Sequence, residues 1–140
     1  MMNSPEGEDG GELPAVPRAI VAGHAAFSEG LVSAVQQIAG AGEIFLPLSN
    51  TGLGGDDIEA AFLSAAAEHR IRVFFTDLPG GSATLAVRRI MRADPSIVLV
   101  TGANLATLLE FAFHSTGEPA EAARRAAEKG RASLVAHGGT

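Results

Sequence analysis

The chain has 140 residues, of which 46% are hydrophobic and 19% are charged, and its formal net charge is −6. This length and composition predict one domain with a packed hydrophobic core. Because the sequence contains no cysteine, it excludes disulfides, thiolate zinc sites and iron–sulfur clusters, and the excess of acidic residues argues against a nucleic-acid-binding protein.

The N-terminal stretch, residues 1–17, is rich in Gly, Pro, Glu and Asp, which predicts a flexible acidic tail ahead of a domain spanning residues 18–140. This stretch lacks the apolar run of a signal peptide. No apolar run elsewhere approaches the roughly 20 residues that a transmembrane helix needs. We therefore expect a cytoplasmic protein that does not insert into a membrane.

The domain repeats one unit: a short apolar run, a loop of Gly or polar residues, and the pattern of an amphipathic helix. Strands are predicted over residues 19–23, 43–49, 72–76 and 96–100. The helices that follow are expected to start near Ser28, Asp56, Ser82 and Asn104, and Ser28, Ser82 and Asn104 are the predicted N-caps. A fifth helix should begin near Pro119 and end at Gly130, followed by a short strand over residues 131–136.

The four main strands are nearly continuous apolar runs, which predicts a mostly parallel sheet covered by helices on both faces. Alternating strands and helices predict an α/β fold, a three-layer doubly wound sheet with the flavodoxin-like strand order 2-1-3-4. Pro47 cannot donate a backbone hydrogen bond, so we place the second strand at an edge of the sheet. Such folds bind ligands beyond the carboxyl ends of their strands, in the strand-to-helix loops.

His24 and Asp77 are the candidate catalytic pair. His24 follows the first predicted strand and Asp77 follows the third. In the predicted order these strands are neighbours, about 4.8 Å apart, so the two side chains can meet. A carboxylate bonded to one ring N–H fixes the tautomer of the imidazole. The other ring nitrogen is then free to act as a nucleophile, a base or a metal ligand.

A candidate phosphate-binding loop, consisting of Gly80, Gly81 and Ser82, follows Asp77. Glycines let backbone amides approach a ligand closely, and a helix that starts at Ser82 favours an anion at its N-terminus. A nucleophilic histidine beside such a loop suggests a phosphoryl group carried on nitrogen. Each residue alone is more simply interpreted as a polar loop residue or a turn former, but their joint placement favours the functional interpretation.

Other sequence features support weaker alternatives. The run GGSAT nearly matches the G-x-S-x-G nucleophile elbow, so a hydrolase that uses Ser82 stays open as a distant alternative. The run GLGG lacks the spacing of a dinucleotide-binding fingerprint, and we expect no cofactor. The other histidines are dispersed along the chain, which predicts no metal site; they are His69, His114 and His137.

Three segments together resemble the mannose-family IIA component of the bacterial sugar phosphotransferase system. They are IVAGHAAFSEGL around His24, FFTDLPGGSATLAVRRI around Asp77, and VTGANLATLLE at the fourth strand. The resemblance extends from about Arg18 to the C-terminus, with the three segments in the family's order. At three positions this chain has alanine where the family commonly has another residue. Ala25 stands in place of a glycine, and Ala83 and Ala106 each stand in place of a proline.

The resemblance implies a phosphotransferase with a phosphohistidine intermediate. The histidine-containing phosphocarrier protein would phosphorylate His24, Asp77 would orient it, and a separate IIB component would receive the phosphoryl group for sugar uptake. The loop at residues 80–82 would hold the phosphoryl oxygens. The resemblance also implies a homodimer that exchanges the strand at 131–136, located in the cytoplasm beside a membrane sugar permease. A stand-alone regulatory phosphoacceptor and the related phosphotransfer subunit of dihydroxyacetone kinase stay open as alternatives.

Overall fold

The computed structural model describes residues 16–114 and 117–140, so most of the predicted tail, residues 1–15, lies outside the described residues. The strands are β1 (Ala19–Gly23), β2 (Phe45–Ser49), β3 (Val73–Thr76) and β4 (Val98–Val100). The helices are α1 (Phe27–Ala39), α2 (Gly55–His69), α3 (Ser82–Ala93), α4 (Leu105–Phe113) and α5 (Pro119–Ser133). A short 3-10 helix, Gly42–Ile44, precedes β2, so this strand begins later than its apolar pattern predicts.

The strands form one four-stranded parallel sheet in the order β2-β1-β3-β4. This order confirms the predicted 2-1-3-4 arrangement and the doubly wound α/β fold. Pro47 lies in β2, an edge strand, as predicted from its missing N–H. In the register of the two central strands, Ala22 of β1 lies opposite Thr76 of β3. Residues just beyond these positions therefore come side by side at the carboxyl edge of the sheet.

Helices cover both faces of the sheet because strand residues alternate between two apolar clusters. On one face, Val21, Phe45 and Phe75 pack against α1, α4 and α5, with the rings of Phe45 and Phe75 edge to face at a centroid distance of 6.1 Å. On the other face, Ile20 and Phe74 pack against α2 and α3. Each large apolar side chain buried in this way stabilises the fold by about 1.5–3 kcal/mol. Burial on both faces explains why the strands are nearly continuous apolar runs.

The helix starts match the sequence predictions only in part. Asn104 precedes α4 and caps it, since its side chain accepts a hydrogen bond from the backbone of the first turn at 3.0 Å. The cap predicted at Ser28 is wrong, because α1 begins at Phe27 and the buried Ser28 hydroxyl donates to the carbonyl of Leu48 at 3.0 Å. The cap predicted at Ser82 is also wrong, because Ser82 is the first residue of α3 and Gly81 is the residue before the helix.

The C-terminal helix is longer than predicted. It begins at Pro119, as expected, but continues past Gly130 to Ser133, and residues 134–140 have no regular secondary structure. The strand predicted over residues 131–136 is therefore not formed within this chain. Gly130 lies inside α5. Glycine is needed there because a Cβ at this position would overlap Oγ1 of Thr107 in α4. A glycine needed for close helix packing looks, in the sequence alone, like a helix stop.

Candidate active site

His24 and Asp77 meet at the carboxyl edge of the sheet, where β1 and β3 end. The Nδ1 atom of His24 lies 2.8 Å from Oδ2 of Asp77. The backbone N–H of His24 donates a hydrogen bond to the same oxygen at 2.9 Å. This contact follows from the register, because each residue directly follows one of the two central strands. Asp77 thus holds both the backbone and the ring of His24.

The Asp77 carboxylate fixes the tautomer of the His24 ring. Burial raises the pKa of Asp77, but the hydrogen bonds from the ring and backbone of His24, and the attraction of the imidazole, outweigh burial and lower the pKa below its ordinary value. An ionised carboxylate only accepts hydrogen bonds, so the neutral form of the ring carries its proton on Nδ1 and leaves the lone pair on Nε2. The side chain of His24 is 57% exposed and that of Asp77 only 10%. The pair therefore presents an accessible imidazole whose free nitrogen is Nε2.

Gly23, the last residue of β1, permits this close approach. A Cβ at Gly23 would lie 2.7 Å from both Cγ and Oδ2 of Asp77 and 2.8 Å from a ring carbon of Phe27. Any larger residue would push Asp77 away from His24. In the sequence, Gly23 looks like an ordinary strand residue, because only the position of a residue distant along the chain reveals the need for glycine.

The loop of Gly80, Gly81 and Ser82 lies directly beside His24. Gly81 precedes α3, and a Cβ built on it would lie 3.4 Å from Cε1 of His24, the ring carbon between Nδ1 and Nε2. Ser82, the first residue of α3, is exposed. The first N–H groups of a helix have no partner within the helix, and its dipole makes this end positive. The structure thus places an anion-attracting helix end next to the imidazole.

A third loop, which follows β2 over residues 49–55, closes the site. It is one of the strand-to-helix loops expected to bind ligands, but the sequence indicates no role for its individual residues. The backbone N–H of Asn50 donates to the carbonyl of Gly23 at 3.1 Å. The hydroxyl of Thr51 accepts a hydrogen bond from the N–H of Ala25 at 3.1 Å. The buried Asn50 side chain donates from Nδ2 to the Ser82 hydroxyl at 2.6 Å. The available signal was the polar run SNT directly after an apolar strand, but its partners are distant in sequence.

Ala25 has a left-handed backbone, with φ of 48°. This conformation costs a residue other than glycine roughly 1–2 kcal/mol, which is a physical reason for the glycine that the resembling family commonly has here. In this chain two hydrogen bonds hold the turn, from the N–H of Ala25 to Thr51 and from the N–H of Phe27 to the carbonyl of His24 at 3.0 Å. The turn is therefore kept with alanine in place of glycine.

The alternative sites suggested by the sequence are not formed. Within residues 16–114 and 117–140 no hydrogen bond joins Ser82 to His24, so the serine–histidine contact that a hydrolase needs is not formed. His69 and His114 lie at the ends of α2 and α4 and contact glutamates of their own helices. Over the same part of the chain, no group of three or more His, Asp or Glu side chains could hold a metal ion.

Comparisons with known proteins identify the family. Residues 18–128 match the family EIIA-man, the fructose IIA component of the phosphotransferase system. The chain belongs to this family. A phosphotransferase system EIIA component from Streptococcus agalactiae has a similar structure, with a TM-score of 0.77 at 21% identity over 85% of this chain and 95% of that one. The mannose/sorbose-specific IIA subunit from Enterococcus faecalis gives a TM-score of 0.75 at 20% identity, over 89% and 96%. A search of curated protein sequences finds no match.

Membership of this family confirms the resemblance drawn from the three segments and gives the chain a phosphotransfer role in a sugar phosphotransferase system. Proteins of this kind are phosphotransferases, which is the reaction class expected from the sequence. In the part of the chain that the structure describes, no helix is both long and apolar enough to cross a membrane.

Proposed function

We propose that the protein is a phosphoryl carrier. His24 accepts phosphate from the histidine-containing phosphocarrier protein and passes it to a separate IIB component for sugar uptake. The observation that carries this proposal is the 2.8 Å contact between His24 Nδ1 and Asp77 Oδ2, made by a ring that is 57% exposed. The family supports the reaction class, and this contact supports His24 as the residue that reacts.

The proposed step exchanges one nitrogen–phosphorus bond for another. Nε2 of His24 gives its lone pair to the phosphorus atom on the carrier's phosphohistidine, and the original N–P bond breaks with its electron pair returning to the carrier's nitrogen. Nδ1 of His24 keeps its proton throughout, so the phosphorylated ring gains positive charge. The Asp77 carboxylate offsets that charge at 2.8 Å. Transfer to the IIB component repeats the exchange in the opposite sense at Nε2.

The loop at residues 80–82 is suited to hold the transferred group. A phosphoryl group in transit carries negative charge on its three equatorial oxygens. The unpaired N–H groups at the start of α3 and the Ser82 hydroxyl are donors of the kind that bind such oxygens. These groups favour the transition state because they are in place before transfer begins.

The proposal includes a homodimer located in the cytoplasm beside a membrane sugar permease. After α5 the chain continues through Leu134 and Val135, which are 84% and 59% exposed. The outer edge of β4 has no neighbouring strand among the described residues. A segment exchanged with a second copy would cover both the apolar side chains and the open edge. Light scattering after size-exclusion chromatography should give the mass of a dimer, and a monomer at micromolar concentration would contradict the exchange.

Phosphoryl labelling tests the role of His24. The protein is incubated with radiolabelled phosphoenolpyruvate, the first enzyme of the system and the phosphocarrier, and acid-labile phosphate is then measured. The wild type should be labelled and His24→Ala should not. His69→Ala removes an imidazole at the end of α2, away from the site, and should be labelled like the wild type. Equal labelling of His24→Ala would show that another residue carries the phosphate.

Onward transfer distinguishes a carrier from a regulatory phosphoacceptor. When the labelled protein is purified and mixed with a IIB component, a carrier loses its label to that protein. A purely regulatory phosphoacceptor is labelled equally well on His24 but retains the label. Transfer to the other subunits of a dihydroxyacetone kinase, with none to IIB, would favour the alternative related to that enzyme.

A further inference from the structure

Asn50 is a buried polar residue outside the His24–Asp77 pair and the loop at residues 80–82. Only 7% of its surface is exposed. Its backbone N–H donates to the carbonyl of Gly23 at 3.1 Å, and its carbonyl accepts from the N–H of Leu53 at 3.2 Å. The backbone of Asn50 is therefore fixed to the end of β1, immediately before His24.

The side chain of Asn50 connects the loop after β2 to the first residue of α3. Its Nδ2 donates to the Ser82 hydroxyl at 2.6 Å. A hydroxyl has one proton to donate and two lone pairs that accept. The amide occupies one lone pair, so the Ser82 proton is left for another acceptor. Among the described residues, no acceptor takes a hydrogen bond from this hydroxyl.

The unused proton of Ser82 lies where a phosphoryl group would need a donor. Ser82 is exposed and follows Gly81, whose added Cβ would lie 3.4 Å from Cε1 of His24. A hydroxyl that accepts a hydrogen bond from an amide is polarised and donates more strongly. We propose that Asn50 is a positioning residue, which orients the Ser82 hydroxyl so that its proton points to the phosphoryl group on His24. This inference rests on the function proposed above for His24.

A double-mutant cycle tests the proposal. The wild type, Asn50→Ala, Ser82→Ala and the double variant are phosphorylated with phosphoramidate, a small donor that needs no partner protein, and phosphohistidine is followed by phosphorus NMR. Each single substitution should slow phosphorylation about three- to tenfold, the effect of one lost hydrogen bond. The double variant should match Ser82→Ala within about twofold, because Asn50 acts through Ser82. The phosphorus chemical shift should move alike in both single variants.

Three further variants distinguish orientation of the Ser82 hydroxyl from a purely structural role in which Asn50 only holds the two loops together. Gln36→Ala removes an amide that accepts a hydrogen bond from the N–H of Gly42 at 2.9 Å, at another loop, and should react like the wild type. Asn50→Asp keeps the size of the side chain and its contact with Ser82. It reverses the direction of the hydrogen bond, because the new carboxylate would accept the Ser82 proton. Its rate should fall at least as far as that of Asn50→Ala. The same substitution in the Ser82→Ala background measures the effect of the added charge alone.

The outcomes distinguish this proposal from the function on which it rests. If the wild type is not phosphorylated on His24, both are overturned. If the wild type is phosphorylated but Asn50→Ala slows the reaction by the same factor with and without the Ser82 hydroxyl, only the positioning role is overturned. A wild-type rate in Asn50→Asp also overturns the positioning role. Such a rate would mean that contact between the two loops is sufficient, whichever group donates the hydrogen bond.

Discussion

The strands of the sheet end in two different kinds of loop. The loops after β1, β2 and β3 meet around His24, and the Asn50–Ser82 contact leaves a hydroxyl proton unused. The loop after β4 leads instead into the junction of α4 and α5. There Asn104 accepts hydrogen bonds from the N–H and hydroxyl of Thr107 and donates to the carbonyl of Gly130 at 3.0 Å. Changes in the first region should therefore affect transfer, and changes in the second should affect stability.

Asp77→Asn should have the largest effect on transfer. An amide can donate to Nδ1 of His24, which would favour the tautomer with its proton on Nε2 and remove the nucleophilic lone pair. We expect phosphorylation of His24 to slow about 100-fold or more, within the usual range for loss of a proton-positioning group. The rate is measured by labelling from the phosphocarrier, with denaturation curves to establish that the variant is folded. A rate within threefold of the wild type would contradict the orienting role.

Gly130→Ala should have the next largest effect, and on stability alone. The new Cβ would overlap Oγ1 of Thr107 and lie 3.0 Å from Oδ1 of Asn104, so α4 and α5 must separate. Overpacking of this kind costs about 1–3 kcal/mol in the free energy of unfolding, measured by urea denaturation. Gly30→Ala is the matched control, since a Cβ on Gly30 of α1 meets nothing within 4 Å and should stabilise its helix. A wild-type unfolding midpoint for Gly130→Ala would show that the helices are not in close contact.

Asn104→Ala should destabilise the protein by about 1 kcal/mol. The change removes the cap of α4, which costs 0.5–2 kcal/mol in most proteins, together with the hydrogen bond to α5. Denaturation with urea measures the loss. The labelling rate of His24, measured well below the melting temperature, should stay at the wild-type value. A slower rate would mean that the two regions are coupled.

Asp77 should also make stability depend on pH. Burial raises its pKa, but hydrogen bonds from His24 outweigh burial, so the folded pKa lies below the unfolded value of about 3.9. A carboxyl group of this kind contributes its full stability above the unfolded pKa and loses that contribution as the pH falls through the folded pKa. Between about pH 5 and pH 3, the wild type should therefore lose more unfolding free energy than Asp77→Asn does. Parallel curves over that range would contradict the lowered pKa.

Ala25→Gly should have the smallest effect. Glycine relieves the left-handed strain at φ of 48°, worth roughly 1–2 kcal/mol, but increases the entropy of the unfolded chain, which costs about 0.4–1 kcal/mol. The net gain in unfolding free energy should be about 0–1.6 kcal/mol, with labelling of His24 within twofold of the wild type. A loss of stability would indicate that this turn depends on the alanine methyl group.

Features that follow from local patterns were predictable from the sequence. Nearly continuous apolar runs located the four strands, and their alternation with helices led to the correct strand order. That order places the residues after β1 and β3 side by side, which is why the meeting of His24 and Asp77 could be anticipated. Asn104 was recognisable as a cap because a cap bonds within its own first turn.

Features that depend on contacts between distant segments could not be predicted. Gly130 looked like a helix stop, but its role is set by Thr107 on another helix. Gly23 looked like an ordinary strand residue until Asp77 was placed against it. Asn50 bonds a serine 32 positions away, and nothing in the run SNT identifies that partner. In each case the missing information was a distance in space and not a preference of the residue.

The two hydrogen bonds from His24 to one oxygen of Asp77 affect how two partner proteins can bind. Because the backbone N–H and the ring both bond to Oδ2 of Asp77, the position of Nε2 is set before any other protein docks. On the proposed function, the donor and the acceptor of phosphate must both reach this one stationary atom. Their footprints on the surface then overlap, so the two cannot be bound together. Each partner should act as a competitive inhibitor of the other, and an excess of unphosphorylated acceptor should slow loading of the carrier.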